Sequence, residues 1–152
     1  MKFLTATAAL IVLAAPVYAE GDADKGAKTF KKCKSCHMIV SPEGEKIVKG
    51  GKTGPNLYGV IGRQAGSVEG FKYGKTIVEA GEGGLVWDEA SVVGYIKDPK
   101  KYLKEVTGDG AAKSKMSFKL RKGGEDVAAY LASVAPAPAM AEEATEEPAA
   151  TE

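Results

Sequence analysis

The only two cysteines and the only histidine of this 152-residue chain fall within five consecutive positions, Cys33-Lys34-Ser35-Cys36-His37. A Cys-x-x-Cys-His run is an attachment signal for c-type haem. The spacing has a mechanical reason. Two thiols must reach the two vinyl groups on one porphyrin edge, while the next residue swings its imidazole under the iron. Other chemistries use the same residue types: two cysteines in an exported chain suggest a disulfide, and Cys-x-x-Cys suggests a thiol oxidoreductase. A dithiol site of that kind follows a strand in a βαβ pattern, whereas here a helical segment precedes it. A structural zinc site needs four ligands, and Cys and His together number three. The motif therefore reads as one covalent haem c on Cys33 and Cys36, with His37 as an axial ligand to its iron.

A single histidine excludes bis-histidine ligation. The soft candidates for the second axial position are Met38, Met116 and Met140, because Met1 would leave with a leader. Met38 is tethered beside His37 on the same side of the ring, and Met140 lies in a polar tail. Met116 sits in a basic, glycine-containing loop able to fold over the other face. Methionine is also a common core filler. In that reading the distal position stays open, as in a gas sensor or a haem enzyme. With ligands on both faces there is no place for substrate, and thioether sulfur favours ferrous iron and raises the potential. Catalytic residues are then expected to be none.

The elements that position these residues read as helices and loops. Asp22 can cap a helix through Phe30 and Lys32. Residues 33–63, rich in Gly, Pro and Ser, read as loop, and 74–81 as a weakly signalled short helix. Asp88 caps a helix through Lys97, which Asp98-Pro99 ends. Pro99 then opens a short helix carrying Tyr102 and Leu103. Residues 104–122 hold Gly108, Gly110 and six bases and read as an exposed loop. The last helix runs from Gly124 to Val134, with Val127, Tyr130, Leu131 and Val134 at helical spacing. No strand alternation is sustained. The expectation is all-α: three main helices, shorter ones, and long loops around one cofactor.

Residues 1–19 read as a secretory signal peptide, with Lys2, an apolar run from Phe3 to Ala15, and a cut after Ala19. The run is shorter than the roughly 18–20 residues of a membrane span. The mature domain is 20–135. Residues 136–152, composed largely of Ala, Pro, Glu and Thr, cannot bury enough surface to order themselves. The net charge of +1 conceals an asymmetry: residues 142–152 contribute five glutamates and no base, leaving 20 bases against 15 acids in residues 20–135. A basic domain of this kind suggests steering toward acidic partners.

A longer pattern now becomes visible. Gly26, Phe30, Cys33–His37, Lys52-Thr53-Gly54-Pro55-Asn56-Leu57-Tyr58-Gly59 and Gly62-Arg63 are followed by Gly70–Tyr73, Trp87, Tyr95, Asp98–Tyr102, Lys115-Met116, Phe118 and Ala129–Leu131. In order and spacing this is similar to class I cytochrome c, and within it to the bacterial cytochrome c2 and c-550 group.

The resemblance implies the cytochrome c fold and a set of roles. The Pro55 carbonyl would orient His37, Tyr95 would lie beside the Met116 sulfur, and Arg63, Tyr73 and Trp87 would hold the haem propionates, with Ser114 a weaker candidate. Gly26 would let the first helix meet the last, with Phe30 against Tyr130. Lys32, Lys34, Lys52, Lys100, Lys101, Lys115 and Lys119 would ring the exposed haem edge as a docking surface. The family implies a monomeric periplasmic electron carrier of a Gram-negative bacterium, with neither membrane anchor nor nucleic-acid partner. Its donor would be a quinol-oxidising cytochrome bc complex or periplasmic dehydrogenases. Its acceptor would be a terminal oxidase, photosynthetic reaction centre, peroxidase or denitrification enzyme. The loops Ser41–Gly51 and Lys104–Ser114 are longer than in the mitochondrial pattern, and Ile77 stands where that pattern has a polar residue.

Overall fold

Asp22 opens the first helix, its carboxylate accepting the Lys25 N–H at 3.0 Å. Helix α1 (Ala23–Thr29) follows, and a 3₁₀ turn over Phe30–Lys32 tightens its end. This is a computed structural model describing residues 21–135. The leader expected at 1–19 and the tail expected at 136–152 lie outside the described residues.

The stretch 33–63 is not wholly loop. Strands β1 (Ile39–Val40) and β2 (Lys46–Val48) pair antiparallel, with an irregular register at Ile39 and Val40. Strands of two and three residues show no alternation to read, so the sequence could not announce them. An isolated bridge also joins Gln64 to Val86.

Helix α2 (Lys75–Glu82) forms where the weak signal stood. Helix α3 (Glu89–Lys97) begins with a capping box in which Asp88 and Ser91 satisfy each other's backbone N–H. Asp98 ends α3 and caps α4 (Pro99–Thr107), its extended backbone turning the chain between them. Helix α4 runs three residues past Lys104, into the stretch read as loop. An i,i+4 pair between Lys101 and Glu105 favours the continuation, and Gly108, at φ 68°, stops it. Helix α5 (Gly124–Ser133) closes the domain.

Helices α1, α3 and α5 make the frame: α1 crosses α5, and α3 packs along α5. Gly26 sits at the crossing, where an added Cβ would collide with the Asp126 carbonyl oxygen. The Phe30 and Tyr130 rings meet there at 5.6 Å. Helices α2 and α4 pack together at the side. The core is built from Phe30, Ile39, Val60, Trp87, Val127 and Leu131 and their neighbours. The fold is the expected helical one, with a small sheet added.

Candidate functional site

Residues 33–37 continue the helical winding of the segment before them. The His37 N–H donates to the Cys33 carbonyl at 2.9 Å, and the Cys36 N–H does so at 3.0 Å. Cys33 and His37 are thus brought one turn apart on one side of the chain. The following loop clamps this turn from outside. Gly51 N–H donates to Lys34 O at 2.9 Å, and Gly54 N–H donates to Cys36 O at 2.8 Å. Gly54 lies flat on the imidazole, with no room for a side chain between it and His37 Cε1. His37 Nδ1 then lies 2.9 Å from the Pro55 carbonyl. A carbonyl can only accept, so Nδ1 carries the proton and Nε2 keeps its lone pair, the arrangement a metal-binding imidazole needs. Burial lowers the His37 pKa, against an opposing pull from the Pro55 carbonyl; the ring is therefore neutral at pH 7.

Cys33, Cys36, His37 and Met116 all line one cavity of about 780 Å³. Its size falls in the range of cofactor sites. The walls are mainly apolar, with Leu57, Ile77, Trp87, Val92 and Leu103 among them. The Trp87 ring lies tilted against Tyr95 at 5.1 Å and stacked on Tyr102 at 6.3 Å. The two thiols are not bridged to one another. Burial pushes the Cys33 thiol up to about 11, with Cys36 adding to the rise and Lys32 opposing it. A thiol–disulfide catalyst depresses its nucleophile instead, so Cys33 is poorly suited to that chemistry. Among the described residues no group of three or more His, Cys, Asp or Glu could hold a bare metal ion.

The Met116 segment is fastened by short contacts. Ser114 Oγ accepts the Met116 N–H at 3.1 Å and donates to the Met116 carbonyl at 3.0 Å. The Tyr95 hydroxyl lies 3.3 Å from the same Ser114 oxygen. Ser114 therefore ties α3 to the methionine loop. Burial raises the Tyr95 pKa, with Ser114 opposing it, so the phenol keeps its proton at pH 7. Lys115 Nζ donates to the Lys72 carbonyl at 2.8 Å, stapling this loop to the segment before α2.

Arg63 and Tyr73 line the same cavity. Arg63 donates to the backbone carbonyls of Tyr58 at 2.9 Å and Asn56 at 3.0 Å. No carboxylate pairs with it among the described residues, and burial lowers its pKa. A half-buried cation facing a cavity without an anionic partner suits an acidic substituent such as a porphyrin propionate.

The seven lysines expected at the edge separate into groups. Lys32, Lys52 and Lys115 line the cavity. Lys34 faces a second cleft, and Lys100 is exposed on α4. Lys101 pairs with Glu105, and Lys119 pairs with Asp98 at 2.6 Å.

Sequence reasoning missed Asn56, whose side chain bonds both the N–H and the carbonyl of Val40 and thereby joins β1 to the Pro55 loop. Gly54 was noted only as part of the Lys52–Gly59 run, with no role of its own. The adjacent Gly54-Pro55-Asn56 run was the available signal.

A helical frame wrapped round an apolar cavity that gathers a Cys-x-x-Cys-His turn and a methionine loop is the architecture of class I c-type cytochromes. No protein-family model matches the chain. It is 60% identical over 133 residues to cytochrome c-551 of Roseobacter denitrificans, covering 88% of this chain and 95% of that one. Cytochrome c2 of Rhodobacter capsulatus is 60% identical over 134 residues, covering 88% and 97%. The solved structure of ferric cytochrome c-550 from Paracoccus versutus superposes with a TM-score of 0.74, at 60% identity, over 76% of this chain and 98% of that one. The chain belongs to the cytochrome c2 and c-550 family. It is accordingly a monohaem electron carrier rather than an enzyme, with covalent haem c and its iron as cofactor.

Proposed function

We propose that this chain is a periplasmic carrier of single electrons, with Cys33 and Cys36 as thioether anchors and His37 and Met116 as axial ligands. The observation that carries the reading is the gathering of these four residues into one mostly apolar cavity. When bound, the haem supplies a one-electron iron couple. The chain's own residues do the rest. Pro55 holds the imidazole in the tautomer that offers Nε2. Ser114 and Tyr95 fix the Met116 backbone, which would help hold the thioether where the iron can take it. Apolar walls exclude water and disfavour the extra charge of ferric iron, which raises the potential. Arg63, with Tyr73 and Trp87, forms the propionate end. The mature domain starts near Glu20 after removal of the leader, and no helix among the described residues is long and apolar enough to cross a membrane.

Lys32, Lys52 and Lys115 at the cavity form a basic rim for acidic faces of redox partners. A cytochrome bc complex or dehydrogenase is the fitting donor, and an oxidase, reaction centre or other reductase the fitting acceptor. Steering of this kind speeds encounter and weakens with salt. Met116→Ala in the holoprotein should abolish the near-infrared methionine-to-iron band of the ferric form and allow carbon monoxide to bind the ferrous form. A wild-type protein that lacks that band and already binds carbon monoxide at neutral pH would overturn the axial assignment. The rate of reduction by an acidic partner should fall as ionic strength rises, and a flat profile would remove the docking rim.

A further inference from the structure

A second cleft, of about 440 Å³, lies between the end of α1 and β2. Phe30 lines both this cleft and the haem cavity and is the wall between them. Lys31, Lys34, Lys46 and Lys49 surround the cleft, and Ile47, 38% exposed, is a large apolar side chain lining it. All four lysines are exposed, and none forms an ion pair among the described residues. The acids nearest in sequence, Glu43 and Glu45, belong to the turn between the strands and do not line it. Four like charges around one depression repel one another, so the fold holds an unneutralised basic groove on a face separate from the haem cavity.

The chain carries a complementary segment. After Ala135, residues 136–152 contain five glutamates and no Lys or Arg, with Glu142-Glu143 and Glu146-Glu147 as two adjacent pairs. The intervening residues are Ala and Thr, small enough to lie over Ile47. Seventeen residues span at most about 60 Å when extended, whereas a domain of this size has a radius of gyration of about 13 Å. Reach is therefore not limiting. A tether of this length holds the glutamates near the surface at effective concentrations of about millimolar, so weak contacts suffice.

We propose that residues 142–147 dock on the Lys31, Lys34, Lys46 and Lys49 cleft of their own chain. Neutralising this face leaves the lysines at the haem cavity as the dominant positive surface. The tail then sharpens the direction of the molecule's field while lowering its net charge. The docking itself does not depend on which proteins exchange electrons with the haem.

Amide and lysine side-chain resonances of the full-length reduced holoprotein test this, compared with the full-length variant carrying E142Q, E143Q, E146Q and E147Q. The largest differences should fall at residues 31, 34 and 46–49. They should vanish between about 0.01 M and about 1 M salt, where the screening length shrinks from about 30 Å to about 3 Å. In a second variant, K46Q with K49Q, the resonances of residues 142–147 should move to their high-salt positions. Differences centred on residues 32, 52 and 115, or none outside the tail, would overturn the proposal. So would differences that grow with protein concentration, which would make the occupant a second copy.

Discussion

At Gly54 a single missing carbon atom decides where the imidazole can sit. A methyl group there would overlap the His37 ring at Cε1 and crowd Nδ1 at 2.5 Å. Gly54→Ala should therefore tilt the ring off the Pro55 carbonyl and destabilise the holoprotein by about 1–3 kcal/mol in guanidinium unfolding. The His37 Nδ1–H proton resonance should shift, while Pro55→Ala, which keeps the carbonyl, should leave it in place. At this scale the contiguous motif was legible because its five residues act together locally. The partners of Arg63, Asn56 and Ser114 were not. The Arg63 guanidinium binds carbonyls five and seven positions back, and Asn56 reaches β1 from 16 positions away. Ser114, expected at the propionates, uses its hydroxyl to join Tyr95 to the Met116 backbone. The donor types are visible in sequence, but their choice of partner depends on how the loops fold back.

Caps decide the elements. The Asp88 carboxylate accepts the Ser91 N–H at 2.6 Å, and Ser91 Oγ returns the favour to the Asp88 N–H at 2.8 Å. These bonds hold the Asp88 pKa below the usual carboxylate range. Because the folded pKa is depressed, this stabilisation is whole above the unfolded value of about 4 and is lost as pH falls through the folded one. Asp88→Ala should cost about 1 kcal/mol at neutral pH in thermal or denaturant unfolding. Asp88→Asn still caps the helix but cannot titrate, so its acid limb should be flatter than that of the wild type. Helices α1, α3, α4 and α5 were legible because each begins with a recognisable signal: Asp22, Asp88, Asp98-Pro99, or the apolar spacing of Val127 and Leu131. The strands were not, since two or three residues carry no period. The end of α4 was placed too early because Gly108, Gly110 and the six bases of 104–122 were read together as one exposed loop, whereas the helix continues through Thr107 and stops only at Gly108.

Across the whole molecule, the crossing of α1 and α5 governs stability. Gly26→Ala would drive a methyl group into the Asp126 carbonyl and against Tyr130 Cβ at 2.7 Å. The two backbones must separate to accept it, loosening the Phe30 wall of the cavity. We expect a loss of about 3 kcal/mol or more, read as a fall in the denaturation midpoint of the holoprotein. Here the close approach was foreseen through the resemblance to class I cytochrome c, which implies a glycine where the first helix meets the last. The crossing also sets an order of events. The Asp22 N–H meets the Asp126 carboxylate across 104 residues of sequence. Bringing such distant points together costs roughly 4 kcal/mol of chain entropy, and it cannot begin before the last helix has been delivered. While a ribosome still holds α5, the first helix has nothing to lean on. The turn carrying the two thiols then stays pliable and open to reagents. Arrival of the final ten residues of helix fastens it, so the grip on that turn is the last part of the frame to form.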